Sequence, residues 1–311
     1  MSSVIERLTK QQFIRPPSWL PGNVRFETIM GSQAYGVTTK GSDWDMVGFC
    51  VPPKDMVFPH LAGIIQGFGR QIKKFVCYQQ HHVRAEGREY DLNCYNIVHF
   101  FALCMDNNPN MLDTLFVPRE CIVHSSKIAE MVREKRHMFM HKGAWHRYKG
   151  YAYGQLHKMK ASVQDNVHVE EHGEPQGEPQ GQRALDTSKY GFDVKFAYHL
   201  VRVLGEIEQI LAEGDLDLRR NREHLKAIRR GEVSRDDIIK WAADKEHTLE
   251  KLYAESKLPW GPDQDAIKQL LLDCLEEHYG TIEGCVVTDK GPILALREIA
   301  DIIDKNRSMI A

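Results

Sequence analysis

The hydrophobic pattern along the chain changes period once, near residue 96. Before that point alternation dominates. Val24-Arg-Phe-Glu-Thr-Ile-Met30 alternates and carries enough β-branched residues for a strand, and it runs into Gly31-Ser32, where a sharp turn can open a short helix. Gly41-Ser42 punctuates the next turn, and Asp43–Val51 reads as a second strand closed by Pro52-Pro53. Strand-like runs recur at Lys73–Val83 and Arg88–Cys94, divided by a loop at Gly87. From Asn96 onward the period is helical: Ile97, Phe100, Phe101 and Cys104 share one face. Asn107-Asn-Pro-Asn110 breaks that helix, Met111–Phe116 starts another, and helical patterning continues at Ser126–His137 and Ala144–Val163.

Residues Gln164–Gln182 form the clearest linker, because the tandem Gly-Glu-Pro-Gln-Gly-Glu-Pro-Gln (Gly173–Gln180) has no apolar area to bury. A flexible loop is expected there. Beyond it every pattern is helical. Phe196, Leu200, Val203, Leu204, Ile207, Ile210 and Leu211 make one apolar stripe, and helices are expected at Arg222–Arg230, Arg235–Ser256, Gln264–His278 and Ile293–Asn306. The layout is α+β: a part that mixes strands and helices, then a mainly helical C-terminal part. We place the division at 1–125 and 126–311.

Composition narrows the function classes. With 311 residues and 42% hydrophobic content, the chain has enough apolar side chains for a sizeable core, which excludes wholesale disorder. A formal net charge of -2 excludes a polybasic protein that coats nucleic acid through charge alone. The seven cysteines are odd in number and contain no CxxC pair, which is thiol usage suited to a reducing compartment. The N-terminal segment has no apolar stretch of signal-peptide length, and no run approaches a membrane span. A cytoplasmic protein with no membrane partner is expected.

Chemistry concentrates in Gly31-Ser-Gln-Ala-Tyr-Gly-Val-Thr-Thr-Lys-Gly-Ser-Asp43-Trp-Asp45. Alternation puts Asp43 and Asp45 on one face of a strand, where two carboxylates repel unless a cation lies between them. Hard oxygen ligands at this spacing suit Mg²⁺ held jointly with substrate phosphates. Gly31 lets the backbone approach closely, and N–H groups after it can hold phosphate oxygens, with the Ser32 hydroxyl as a further phosphate ligand. Together these parts make a device for nucleoside triphosphate chemistry. A third acid is expected on a neighbouring strand. Glu89 and Asp91 share a face of Arg88–Cys94, with Asp91 preferred and Glu89 in reserve.

Gly31-Ser32 followed by Asp43-x-Asp45 resembles the signature of the DNA polymerase β-type nucleotidyltransferase superfamily. The likeness continues through Val47–Pro52, Asn107–Phe116, Lys149–Ala152, Gly191–Arg202 and Ala227–Glu232, a series similar to the RNA-repair-associated (RlaP-like) branch. The resemblance covers about residues 20–270. It implies a mixed sheet flanked by helices, a two-Mg²⁺ site (Mn²⁺ as a substitute), and transfer of a nucleoside monophosphate from an NTP, with ATP the first candidate. Asp43, Asp45 and Asp91 are then the metal-binding and catalytic acids. The Gly-Glu-Pro-Gln insert before Gly191 departs from the family pattern at the approach to the cleft.

Two basic faces lie outside this motif. Lys195, His199 and Arg202 are spaced i, i+4, i+7 at the edge of the apolar stripe, a row that can neutralise a triphosphate or an acceptor strand. On Ala144–Val163, the residues Trp145, Tyr148, Ala152, Leu156, Met159 and Val163 face inward. His146, Lys149, Tyr153, His157 and Lys160 form another face, where aromatics interleaved with cations can contact nucleic acid. The pairs His81-His82, His137/His141 and His168/His172 lack a third zinc ligand, so zinc is not expected.

The activity expected is Mg²⁺-dependent nucleotidyl transfer to an acceptor hydroxyl, with release of pyrophosphate and an RNA or tRNA end as the candidate acceptor. AMP transfer to a protein, or a non-catalytic nucleotide- or nucleic-acid-binding module, are the alternatives.

Overall fold

The computed structural model describes residues 2–38, 42–59, 64, 68–69, 73–172, 187, 189–281, 296 and 298–303, with the backbone alone for 160–172. Five strands form one mixed sheet: β1 (Val24–Ile29), β2 (Trp44–Cys50), β3 (Cys77–Ala85), β4 (Arg88–Asn96) and β5 (Ile122–Ser125), in the order β3-β4-β2-β1-β5. Only β2 and β4 run parallel; the other neighbours are antiparallel. The helices are α1 (Val4–Lys10), α2 (Gly31–Ala34), α3 (Lys54–Val57), α4 (Ile97–Met105), α5 (Pro109–Phe116), α6 (Lys127–Glu134), α7 (Ala144–His172), α8 (Val194–Glu213), α9 (Arg222–Arg229), α10 (Arg235–Glu255) and α11 (Gln264–Tyr279). This is the α+β architecture expected, a mixed sheet with helices around it and a helical C-terminal region.

The four longer strands fall where alternation puts them. The short edge strand β5 and helix α1 carry too few residues for their periodicity to stand out. Expected linker residues 164–172 are helical, because α7 continues to His172. The Gly-Glu-Pro-Gln tandem, Gly41, Cys285 and most of the helix expected at Ile293–Asn306 lie outside the described residues. The six described cysteines are free thiols, five of them buried in the two apolar clusters beside aliphatic and aromatic neighbours. No helix among the described residues is long and apolar enough to cross a membrane.

Local signals at the break between α4 and α5 are chemically explicit. Asn107 takes the left-handed conformation (φ 50°) that Asn tolerates better than most residues. Its side-chain Nδ2 donates to the carbonyls of Cys104 (3.1 Å) and Phe139 (2.7 Å). Asn108 caps α5, and Pro109 occupies the first turn, where no N–H is needed.

Both sheet faces are covered. The main apolar cluster runs from Phe26 and Phe49 through Phe100, Leu112 and Tyr148 to Leu200 and Ile207, so one core crosses from the sheet into the helices. Helix α8 is its axis. Buried side chains occur all around it because α7, α9 and α10 pack against different sides. A second cluster on the other sheet face joins Met46, Tyr90 and Leu92 to Val4, Ile5 and Leu8 of α1. Glu27 fastens that helix. Its buried carboxylate accepts from the N–H of Val4 (2.5 Å) and of Ile5 (3.3 Å), the free donors at the start of α1.

Burial pushes the Glu27 carboxyl up to about 7, against the pull of those N–H groups. The unfolded chain ionises this group near 4.5, so its contribution to stability is present below that pH and lost as pH rises through 7. Comparing urea unfolding of the wild type with Glu27→Gln should show wild-type stability falling by roughly 3 kcal/mol relative to the variant between pH 4.5 and 7.5. A pH-independent difference between the two proteins would remove this account.

Candidate active site

The site is assembled where β1 ends. The Met30 N–H donates to the Asp45 carbonyl (2.7 Å), and the chain then turns through Gly31 at φ +61°. A Cβ added at Gly31 would stand 1.9 Å from Asp45 Oδ2, so any larger residue would occupy the space of that carboxylate. Glycine is needed here both for its conformation and for close approach. Helix α2 is a single turn. The N–H of Val37 returns to the Ser32 carbonyl at 2.9 Å, closing the loop behind it.

The C-terminal region grips this loop from behind. Arg219 donates to the carbonyls of Ala34 (3.2 Å) and Gln33 (3.3 Å), and Arg229 to that of Val37 (3.0 Å). A segment with little helix of its own is therefore held by side chains distant in sequence.

The sheet register brings the acids together. Asp45 on β2 is the direct partner of Asp91 on parallel strand β4, and Asp43 lies two residues before Asp45. A register shift in β3 between Gln80 and Val83 reshapes the neighbouring edge, with His82 at φ 55°. The backbone N–H of His82 donates to Asp91 Oδ1 (2.8 Å), and His81 Nδ1 lies 3.5 Å from the same oxygen. Glu89 turns elsewhere, to His82 Nδ1 (2.6 Å) and Arg84 Nε (3.2 Å). Of the two candidates on β4, Asp91 is the one adjoining Asp45.

Burial is the largest force on the Asp45 carboxyl and raises its pKa; the Asp91 carboxylate is next, with Asp43 adding to it. Lys195 and His81 pull the other way. Asp45 therefore senses charges from Asp43 just ahead of β2 and from β3, β4 and α8 at once. Such crowding of like charges suits a divalent cation. Among the described residues no three His, Cys, Asp or Glu side chains already form a metal cage. Mg²⁺ does not require one, since it takes one or two carboxylates and completes its shell with water and substrate phosphates.

The row Lys195, His199 and Arg202 does not present three cations to one surface. Lys195 is exposed near the start of α8, His199 is half-buried, and Arg202 is 3% exposed. Arg202 Nη1 donates to Asp113 Oδ2 (2.5 Å), Glu206 Oε1 (2.9 Å) and the Tyr35 hydroxyl (2.6 Å). Tyr35 also donates to Asp113 Oδ2 at 2.6 Å. One guanidinium thus serves two buried carboxyls, and burial pushes both Glu206 and Asp113 upward. The edge of the apolar stripe is interior because helices cover α8 on more than one side.

The outer face of α7 is also engaged. The inward positions Trp145, Tyr148, Ala152 and Met159 are buried as expected. Lys149, however, pairs with Glu246 (2.7 Å) and Glu250 (3.2 Å), and the Tyr153 hydroxyl donates to Glu246 (2.5 Å). Acids on α10 occupy groups expected to be available to nucleic acid. His137 and His141 diverge as well, to Asp215 (2.9 Å) and the Met105 carbonyl (2.8 Å). The side chains of His168 and His172 lie outside the described residues.

The model of the RlaP family, described as the RNA repair pathway DNA polymerase beta family, matches residues 4–273. The chain belongs to that family. No curated protein matches it. Membership makes this RlaP-family chain one of the polymerase β-type nucleotidyltransferases linked to RNA repair, and the match takes in the sheet, the acids and α8 through α10.

Several parts of this RlaP-family site escape motif reading. Asp113 is a lone acid in the apolar helix Pro109–Phe116, and Arg202 is flanked by Val201 and Val203. Isolated opposite charges among apolar positions were the available sign of a buried pair. Arg219 and Arg229 act on carbonyls, which carry no side-chain signature. The shift that aims His81 at Asp91 depends on strand pairing.

Lys195→Ala should raise the apparent KM for nucleotide and change unfolding free energy by less than about 0.5 kcal/mol. Arg202→Ala should cost roughly 3–5 kcal/mol by stranding Asp113 and Glu206. Denaturant unfolding beside nucleotide titration tests the contrast, which fails if Arg202→Ala is as stable as wild type. Gly31→Ala should displace the Asp45 carboxylate and lower transfer on the order of a hundredfold while cooperative unfolding persists. Near-normal turnover in that variant would show the close approach to be dispensable.

Proposed function

We propose that this chain is a Mg²⁺-dependent nucleotidyltransferase that moves a nucleoside monophosphate, with ATP the first candidate donor, onto a hydroxyl of an RNA end. The observation that carries the reading is the pairing of Asp45 with Asp91 across parallel strands while Gly31 lies against the Asp45 carboxylate. That arrangement supports an acidic pole and a phosphate-accepting backbone in direct contact. Asp43 extends the acidic pole at the start of β2.

In this reading Gly31 and Ser32 hold the β- and γ-phosphates through backbone N–H groups and the Ser32 hydroxyl, and Lys195 reaches them from α8. Asp43, Asp45 and Asp91 would hold divalent metal, which would polarise the phosphoryl oxygens and stabilise charge on the entering and leaving oxygens. Asp91 also orients the acceptor hydroxyl toward the α-phosphorus. The protein's main work is positioning and electrostatic stabilisation, as expected for transfer with in-line geometry. His199, one helical turn along α8 from Lys195, supports that helix face. Arg202 acts on the nucleotide loop indirectly, through Tyr35, rather than on phosphate. Residues 1–125 would form the catalytic unit and 126–311 the region that holds its loop and covers the cleft, in a cytoplasmic setting.

Incubating the protein with labelled ATP, GTP, CTP or UTP and Mg²⁺, against RNA, DNA and cell protein, tests the proposal. Label should enter RNA with release of pyrophosphate, and Asp43→Ala and Asp45→Ala should each lower the rate by at least about a thousandfold without loss of folding. Label retained on protein would establish AMP transfer to a protein instead. Nucleotide binding without pyrophosphate release would establish a non-catalytic module.

A further inference from the structure

A broad groove borders Asp43 and the β3–β4 hairpin, across the sheet from the β1 strand that leads to Gly31. It has a volume of about 680 Å³ and is lined by Phe13, Ser42, Asp43 and the β3–β4 hairpin residues from Arg84 to Glu89. From the groove and the strand order we infer that it receives the terminal nucleotides of a single-stranded RNA acceptor. The inference rests on the activity proposed above and adds where the acceptor lies and what recognises it.

Strand order supplies the first argument. Across the sheet the succession is β3, β4 with Asp91, β2 with Asp45, and then β1 leading to Gly31. In-line displacement places the entering oxygen opposite the leaving pyrophosphate. With pyrophosphate at Gly31-Ser32 on the β1 side, the acceptor must approach from the β4–β3 side. The groove opens there, and Asp43 belongs both to its wall and to the acidic pole.

The lining supplies the second argument. Two of the three carboxylates in the wall are already engaged: Glu86 pairs with Arg7 at 2.9 Å, and Glu89 with Arg84 at 3.2 Å and His82 at 2.6 Å. Arg88 is different. Its Cζ stacks 3.9 Å from the centroid of the Trp44 ring, and it makes no salt bridge to a carboxylate among the described residues. Stacking fixes the plane of the guanidinium while its N–H edge can still meet a phosphate. Phe13 is 48% exposed on the same groove, an aromatic face that water solvates poorly and a base can cover. A cation held in plane beside an open aromatic ring suits one phosphate and one unpaired base. It suits a triphosphate poorly, because the carboxylates of the wall would repel its dense charge.

Anisotropy of a short fluorescein-labelled single-stranded oligoribonucleotide, and of a fluorescent ATP analogue, tests the inference on the full chain. Phe13→Ala and Arg88→Ala should each weaken oligonucleotide binding about tenfold, and Arg88→Ala should reduce the slope of log affinity against log salt by about one. Affinity for the ATP analogue should stay within about twofold of wild type. An oligonucleotide ending in 4-thiouridine should crosslink to the hairpin or to the segment carrying Phe13. The groove is excluded by oligonucleotide affinity that is unchanged in both variants, by crosslinks confined to other segments, or by equal loss of ATP-analogue binding.

Transfer assays separate this inference from the activity beneath it. A wild type that labels RNA in an Asp45-dependent way, yet is indifferent to Phe13 and Arg88, overturns the groove and leaves the activity standing. A wild type that labels only protein, or nothing, overturns the activity first and the acceptor role of the groove with it.

Discussion

The buried contact of Arg202 with Asp113, Glu206 and Tyr35 joins three parts of the chain that would otherwise be independent. Tyr35 follows the Gly31-Ser32 turn, Asp113 lies on α5, and Arg202 and Glu206 belong to the central helix α8. Leaving any of these charges in the core without its partner is costly, so the network favours one mutual arrangement over near alternatives. The hydroxyls of Tyr148 and Tyr198, Asp113 Oδ1 and Arg202 Nε are also buried and have no hydrogen-bond partner among the described residues. Their cost adds to the sensitivity of this region to the placement of α8. The turn that carries Gly31 and Ser32 is consequently referenced to the helical core as well as to its own strand.

A second constraint acts at the surface of the sheet. Asp45 is the residue on which backbone and charge converge: its carbonyl accepts from Met30, its side chain lies against Gly31, and its register partner is Asp91. Burial and like charge both oppose ionisation of its carboxyl. Such strain is tolerable where a cation relieves it, and perturbed acids of this kind gather at functional sites. Lys195 contributes positive charge from α8, so the helix that carries the buried network also completes the electrostatics of the cleft.

The rear arginines give the same coupling a mechanical form. Arg219 and Arg229 bind carbonyls at positions 33, 34 and 37, where a four-residue helix leaves acceptors without internal partners. The C-terminal helices therefore do more than enlarge the core. They determine where the loop from Gly31 to Val37 lies relative to Asp45.

The residues alone were enough for the strands β1 to β4, the apolar stripe of α8 and the pairing of a Gly-Ser turn with Asp43 and Asp45, because each is written within a few neighbouring positions as alternation, helical period or motif. The α+β class was legible for the same reason, since the hydrophobic period changes along the chain. Three-dimensional packing decided the rest. Whether Asp91 or Glu89 meets Asp45 depends on sheet register and on which acid His82 and Arg84 draw away. Whether Arg202 faces solvent or core depends on how many helices surround α8. An amino-acid pattern records which side of an element avoids water; it does not record which distant partner covers that side, and charge pairing is decided there.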